Sequence, residues 1–332
     1  MGIKSLTQTI KKNSPNTITN ENLYKLSGKK VAVDASLVIY QQLHKGPSGK
    51  LFANSKGKVT NHITGLFYKI MNYISLNIEM IFVFDGKPPE NKQLCINERK
   101  EKSKKALEKA ETCQNEEEKL KLKKASLRIT GEMINDVKKL LNLLGVSYIH
   151  PEGEAEAYAS ELCRMGYVDY VLTEDMDTMV YGCPRIIRNC VDKNLKRKDI
   201  VSIFTYEKLL SDLEISEDKF IEFCILCGCD YCPSVPKVGN ITALKLIKKH
   251  KDINDIVENT SYDFPEGYLD TFNAAKENFF IFKDKINSDD IKLVTSEVDI
   301  DGLREFLIND IEMSDKRVQN SLKKFHNNYK NE

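Results

Sequence analysis

Seven acidic residues in this chain stand where an acid can do more than solvate a surface. Asp34 ends the run KKVAVD, Asp85 ends MIFVFD, and Asp175 and Asp177 follow VDYVL in the string TEDMD. Glu154 and Glu156 alternate in PEGEAEAY, and Asp230 sits inside CILCGCDYC. Taken singly, each is an N-cap, a turn former or a surface charge. Gathered together, they would repel one another and shift each other's pKa unless cations neutralised them. Oxygen ligands without histidine select Mg²⁺ or Mn²⁺ over zinc. Two such ions about 4 Å apart can activate a water and stabilise the leaving oxygen of an in-line phosphoryl displacement. The chemistry that such a cluster suggests is metal-assisted phosphodiester hydrolysis.

Spacing decides which acids can act together. In an extended loop residues i and i+2 project to the same side, so Asp175 and Asp177 can address one ion. In a regular helix i and i+2 diverge, so Glu154 and Glu156 converge only if the helix entry after Gly153 is distorted, or else serve different ions. The cysteines around Asp230 pose a second question. Cys224, Cys227, Cys229 and Cys232 have the spacing of half a zinc or iron-sulfur signature. The competing reading, which is preferred, makes them small buried thiols, because FIEFCILCG reads as the end of an amphipathic helix. A thiolate site and a hard-cation site at Asp230 do not easily share one turn.

The elements that position these acids follow from the apolar runs. Val31 to Val33, Ile81 to Phe84 and Val168 to Leu172 read as strands covered on both faces, with helical patterns between them. That predicts an α/β fold with a mainly parallel twisted sheet flanked by helices. Ligands of such sheets bind beyond the carboxyl ends of the strands, where Asp34, Asp85 and the Asp175/Asp177 pair would emerge. A fourth run, Val146 to Ile149, passes through Pro151 and Gly153 into a helix whose first turn carries Glu154 and Glu156. From Glu90 to Glu132 the chain is rich in lysine and glutamate. It reads either as a solvated helix held by i,i+4 charge pairs or as a basic helical insert over the active edge. VPKVGNITALKLIKKH predicts a tight turn at Gly239 and then a basic helix, and the polar tail beyond Ser314 is expected to fray.

Composition sets the outer limits. With 332 residues the chain can bury a substantial core, and 41% hydrophobic with 30% charged residues is too apolar for disorder. The net charge of +1 hides a segregation, with basic clusters at Lys87 to Arg128, Lys193 to Lys198 and Lys237 to Lys249. No apolar run is long enough to span a membrane, and MGIKSLTQTI has neither a signal-peptide core nor the myristoylation pattern after Gly2. An intracellular protein with nine mainly reduced cysteines is expected. KRK at Lys196 to Lys198 is too short to assign a compartment.

With these residues in place, the chain resembles the flap endonuclease family of the XPG-type structure-specific 5′ nucleases. VAVDAS, FVFDGKPP, EGEAEAYAS, LTEDMDTMVYG and LCGCDYCPSVPKVG match in order and approximate spacing, from Met1 to about Lys249. The resemblance implies a PIN-like 5′ nuclease fold in which Asp34, Asp85, Glu154, Glu156, Asp175, Asp177 and Asp230 hold two Mg²⁺ ions, with Mn²⁺ able to substitute. It makes Lys92 and Arg99, about two helical turns apart, the basic pair that holds the scissile phosphate. It gives Tyr40 a base to stack on at the junction, and makes the Lys-rich insert a helical arch for a single-stranded 5′ flap. Asp230 to His250 becomes a helix-turn-helix element, with Lys237, Gly239 and Lys245 near duplex phosphate and K⁺ at its turn.

The pattern departs at Lys237, where the family has glycine, and at the C-terminus. There QNSLKKFH matches a sliding-clamp peptide at Gln319, Leu322 and Phe325 but has His326 for the second aromatic, so clamp docking is not assumed.

The expected division is 1–99 N-terminal nuclease region, 100–130 arch, 131–228 internal nuclease region, 229–300 helix-turn-helix region and 301–332 helical tail, together one catalytic unit. The implied activity is Mg²⁺-dependent 5′ flap endonuclease with 5′-3′ exonuclease action on branched DNA, in replication and repair. The protein would work as a monomer in the nucleus or another site of DNA synthesis. The alternative is a DNA-junction binding protein of the same fold without turnover.

Overall fold

A computed structural model of the chain describes residues 3, 5–45, 52–192, 194, 195, 197, 199–287, 289 and 291–329, with the side chains of residues 91, 94 and 324–329 left aside. Gly2, Lys193, Lys196 and Lys198 therefore lie outside the described residues. The strands are β1 (Ile18–Asn22), β2 (Lys30–Asp34), β3 (Glu79–Val83), β4 (Ser147–Ile149), β5 (Tyr170–Leu172), β6 (Arg185–Asn189) and β7 (Ile200–Thr205). The helices of the first half are α1 (Leu6–Asn13), α2 (Ala35–His44), α3 (Asn61–Ser75), α4 (Gln93–Thr112), α5 (Glu116–Ser126), α6 (Gly131–Leu143) and α7 (Ala155–Arg164). They are followed by α8 (Asp177–Val180), α9 (Tyr206–Leu213), α10 (Glu217–Cys227), α11 (Asn240–Lys249), α12 (Ile253–Asn259), α13 (Tyr268–Phe279), α14 (Ile300–Glu305) and α15 (Asp315–Tyr329).

Two compact units are woven from segments far apart in sequence. One takes Met1–Lys25, Asp85–Cys95 and Pro151–Ile291, and the other takes Leu26–Phe84, Ile96–His150 and Lys292–Glu332. In the second unit β2, β3 and β4 run parallel, with Asp34 opposite Val83 and Val83 opposite Ile149. Beyond its first residue each of β2 and β3 is buried throughout, as strands covered on both faces must be. Ile39, Leu43, Ile63, Phe67 and Phe82 fill this core. Burying each such side chain stabilises the fold by about 1.5–3 kcal/mol.

The first unit has mixed pairing. β5 and β6 are parallel, β7 is antiparallel to β6, and β1 is antiparallel to β7. The parallel expectation thus holds for β2-β3-β4 and β5-β6, while β7 and β1 add antiparallel neighbours. β1, with the sequence ITNEN, is half-buried at every position and carries one apolar residue, so periodicity could not reveal it. Helices α10 and α13 supply Phe220, Phe223, Phe272 and Phe279 to this unit's core.

The Lys/Glu-rich stretch forms α4 and α5. Exposed i,i+4 pairs Lys121–Glu117 at 2.7 Å and Lys102–Glu98 at 3.7 Å run along them. Asn115 caps α5 by accepting the Glu117 and Glu118 amides, and Ser103 Oγ donates to the Ser126 carbonyl at 2.7 Å, tying α4 to the end of α5. The expected helical tail forms α15, which buries Val318 and Leu322. Its one-sided apolar spacing, Val318 to Leu322, is i,i+4 and finds a surface to cover.

The loop after β3 is laced to the loop before α7. The Gly86 amide donates to the Gly153 carbonyl at 2.8 Å and the Lys87 amide to the Glu152 carbonyl at 3.2 Å. A Cβ on Gly86 would overlap the Pro151 carbonyl oxygen and lie 2.7 Å from the Glu152 carbonyl carbon, so only glycine lets the two backbones meet. Gly86→Ala is therefore expected to destabilise the protein by about 1–3 kcal/mol in chemical denaturation. A melting curve matching the parent would show that the two loops can part freely.

Candidate active site

The first unit gathers acids at the start of α7 and in the loop from β5 to α8. Pro151 and Gly153 precede α7, and Glu154, its N-cap residue, is extended with φ −73° and ψ 138°. Glu156 already lies in the first helical turn. The two glutamates therefore leave the backbone on different courses, as their i,i+2 spacing requires. Glu156 joins Asp175 and Asp177, and one carboxylate oxygen from each lies within 4.8 Å of the others.

Backbone bonds hold the aspartates in place. The Asp175 amide donates to Thr173 Oγ1 at 3.0 Å, the Asp177 amide to Asp175 Oδ1 at 3.2 Å, and the Ile3 amide to Asp177 Oδ1 at 2.8 Å. Asp177 opens α8, so the pair stands at a loop-to-helix step and not in a fully extended loop. Glu174 faces the other way. It accepts from the Asn189 amide at 2.7 Å and from Arg188 Nη2 at 3.3 Å, which anchors the loop to β6.

Glu154 makes a different set of contacts. Its Oε1 pairs with Lys92 Nζ, while its Oε2 accepts from Tyr181 Oη at 3.0 Å and from Tyr231 Oη. Lys92 also lies 3.6 Å from Asp230 Oδ2, whose Oδ1 accepts from the Cys95 thiol at 3.4 Å. Asp85 is exposed and accepts from the Ala155 amide at 3.1 Å, at the first residue of α7. Gly228 makes the turn that presents Asp230: its φ is +94°, and a Cβ there would meet the Ser234 Cβ at 2.8 Å.

Electrostatics explain what such a cluster needs. Burial pushes the Asp177 carboxyl well above the usual carboxylate range, and the neighbouring charges of Asp175 and Asp230 push it further. Asp175 is raised by burial as well. Burial alone would lower the Lys92 ammonium, but Glu154, Glu156 and Asp230 outweigh it and hold the lysine above its ordinary value, charged. One ammonium does not neutralise this many carboxylates. The donor set, all oxygen and crowded by like charge, fits a hard divalent cation.

The remaining sequence candidates have these places. Asp34 belongs to the second unit, where it ends β2 and caps α2 by accepting the Leu37 amide at 2.9 Å. Lys92 closes a 3-10 turn that runs into α4, and Arg99 lies within α4, in the second unit. The Tyr40 ring is exposed on α2, its centroid 4.2 Å from that of His44. Lys237, Gly239 and Lys245 are exposed, Gly239 as the N-cap residue of α11 and Lys245 on that helix. Lys237 adopts φ +66°, the left-handed conformation that glycine enters freely.

Leu322 of the clamp-like peptide is buried within α15, and the side chains of Phe325 and His326 lie outside the described residues. Cys224, Cys227 and Cys232 are buried thiols. Burial pushes Cys227 up to about 12 and Cys232 up to about 11, and Cys224 is also driven upward, so these sulfurs stay protonated near neutral pH. Among the described residues the group with metal-ligand spacing is carboxylate only.

Sequence reasoning missed Tyr181, Tyr231, Glu174 and Arg188. Glu174 and Tyr181 stand in the quoted string LTEDMDTMVYG, but nothing in their spacing separates a hydrogen-bonding side chain from a packing one. Arg188 carries no clearer signal, since β6, RIIRN, holds two arginines and an asparagine beside its two isoleucines.

Comparison with known proteins places this geometry in context. The XPG N-terminal domain matches residues 1–106 and the XPG I-region matches residues 145–230. The chain is 36% identical to flap endonuclease 1 of Candida albicans, over 98% of this chain and 89% of the relative. It is 35% identical to flap endonuclease 1 of Glycine max, over 98% of this chain and 86% of the relative. The solved flap endonuclease-1 of Methanococcus jannaschii superposes with a TM-score of 0.71 at 27% identity, covering 99% of both chains.

The raised Asp177 carboxyl has a consequence for stability. Without metal, the folded state holds a proton that the unfolded chain releases near its ordinary value of 3.8. Stability is therefore lost as pH rises above that value toward the raised folded pKa. In EDTA, Asp177→Asn is expected to melt higher than the parent by a margin that widens with pH across this window. Added Mg²⁺ should narrow or reverse the margin. A margin independent of pH would mean that the carboxylate is not strained by its neighbours.

Proposed function

The chain belongs to the flap endonuclease 1 family, and from that membership we propose how its residues carry out the reaction. It is a structure-specific, metal-dependent nuclease that hydrolyses DNA phosphodiester bonds. The observation that carries the reading is the meeting of Glu156, Asp175 and Asp177 oxygens within 4.8 Å, next to a lysine kept charged.

Asp34, Asp85, Glu154, Glu156, Asp175, Asp177 and Asp230 would hold two Mg²⁺ ions, directly or through water, with Mn²⁺ able to take their place. When bound, such ions activate water at neutral pH and offset charge on the leaving oxygen. Lys92 and Arg99 hold the scissile phosphate in line while its charge grows. The Asp177 and Asp175 loop, locked by Thr173, Ile3 and Glu174, keeps the acids from drifting apart before metal arrives.

The substrate is branched DNA with a 5′ flap, and 5′-3′ exonuclease action on the same strand end accompanies flap cleavage. Residues 100–130 form the arch that receives the single strand, residues 229–300 hold the duplex, and residues 1–99 and 131–228 carry the nuclease centre. Tyr40, exposed on α2, stacks on the base at the junction. Lys237, Gly239 and Lys245 contact duplex phosphate without reading sequence, and K⁺ would sit at that turn. Lys237 keeps a glycine-like backbone and adds a positive side chain beside the phosphate. The clamp-like peptide forms no part of this proposal, because its Leu322 is buried. The protein acts as a monomer, in the nucleus or another site of DNA replication.

A 5′-labelled flap and a matched single strand, incubated in Mg²⁺ and in EDTA, test the proposal. Cutting at the junction with metal alone is expected. Binding in both conditions without cutting would mark a junction-binding protein instead. Asp177→Ala should retain flap binding in gel-shift assays while cleavage falls about a hundredfold or more. If that variant cuts at the parental rate, the assignment of the metal ligands is wrong.

A further inference from the structure

Glu154 differs from the other acids in how its oxygens are used. Oε1 is engaged by Lys92, and Oε2 receives two phenol hydroxyls, those of Tyr181 and Tyr231. It stands outside the group of Glu156, Asp175 and Asp177 oxygens. We propose that Tyr181 is a positioning residue: with Tyr231 it clamps one oxygen of Glu154, so that the other oxygen aims Lys92 at the scissile phosphate. This rests on the proposed role of Lys92.

The chemistry of the groups fits a clamp. A phenol near neutral pH carries its proton and donates, whereas an ionised carboxylate only accepts. Both hydroxyls lie on the same Glu154 oxygen, and a hydrogen bond to a charged partner is about twice as strong as a neutral one. The hydroxyls also touch each other, and because each carries one proton, two of the three contacts among Tyr181, Tyr231 and the acid are hydrogen bonds at a time, within one shared network.

Packing fixes the network. Phe279 of α13 lies against both rings, with centroid distances of 5.1 Å to Tyr181 and 5.3 Å to Tyr231. Lys92 Nζ sits 5.6 Å from the centre of the Tyr231 ring, so Tyr231 flanks both ends of the ion pair. Tyr181 follows the last residue of α8, the helix that Asp177 begins, and its amide donates to the Asp177 carbonyl at 3.1 Å. One short helix thus presents a cluster acid at one end and the clamp on Glu154 at the other.

Tyr181→Phe keeps the ring and its contact with Phe279 while removing one donor. Single-turnover cleavage of a 5′ flap should slow about tenfold, the lower end of the loss seen when an outer hydrogen-bond partner is removed from a metal site. Flap affinity should stay at the parental value. In EDTA, acylation of Lys92 by an amine-reactive reagent, read by mass spectrometry, should rise several-fold as the lysine loses its hold. Tyr231→Phe should change the same two quantities in the same direction, and Tyr206→Phe, which removes a buried hydroxyl with no hydrogen-bond partner, should change neither. Lys92→Ala is measured beside them. If it cuts at the parental rate, the role of Lys92 falls and this inference with it. If it is slow while Tyr181→Phe matches the parent in rate and labelling, the clamp alone is overturned.

Discussion

Like charges buried together are the constraint on which the rest of the structure depends. Asp175 and Asp177 are withdrawn from water and face each other, Glu156 and Asp230 across short distances, and each neighbour raises the cost of ionising the next. A cluster of this kind is held against its own repulsion only by covalent and hydrogen-bonded scaffolding. That scaffolding is present in the amides of Asp175, Asp177 and Ile3, and in the grip of Arg188 and Asn189 on Glu174. The stored repulsion is also what a bound cation would relieve. A cation removes the penalty that the fold has accepted, so affinity for metal and strain in its absence are two sides of one free energy.

The cluster is not uniform, and the entry to α7 explains why. Because Glu154 is extended and Glu156 helical, acids two residues apart face different partners. Glu156 goes to the aspartates, and Glu154 goes to Lys92 and the two tyrosines. A single change of backbone state thereby gives one acid carboxylate neighbours and the other a protein ammonium and two phenols. Lys92 remains charged there because three acids surround it, despite a burial that favours the neutral amine.

Charge elsewhere follows a different rule. Along α4 and α5 the lysines and glutamates are exposed and paired at i,i+4, interactions of a few tenths of a kcal/mol that support helices without fixing them to a core. Such a segment presents positive charge at its surface, while buried Ala110 and the contacts of Lys124 with His44 hold it in its unit. The exposed lysines on and before α11 have the same character. Nearly balanced net charge is thus compatible with a nuclease because Asp34, Glu154, Asp175 and Asp177 are buried while the lysines along α4 and α11 are exposed.

The sequence by itself determined the strands that carry Asp34 and the run before Asp85, the helix after Gly153, the carboxylate candidates and the family. Each of these rests on local pattern: unbroken β-branched runs, a turn residue before a helix, motifs in order. It also favoured small buried thiols over a metal-thiolate site for the cysteines around Asp230, and three of those four thiols are buried. Only the tertiary structure decided the antiparallel β1 and β7, because an edge strand such as ITNEN owes its state to its neighbour's hydrogen bonds and not to its own apolar spacing. It likewise decided that α15 would bury Val318 and Leu322. The division between Glu154 and Glu156, and the tyrosines on Glu154, were hidden for the same reason. Tyr181 is 27 residues from Glu154 and Tyr231 is 77. A hydrogen bond between such positions exists only once the chain has closed the loops between them.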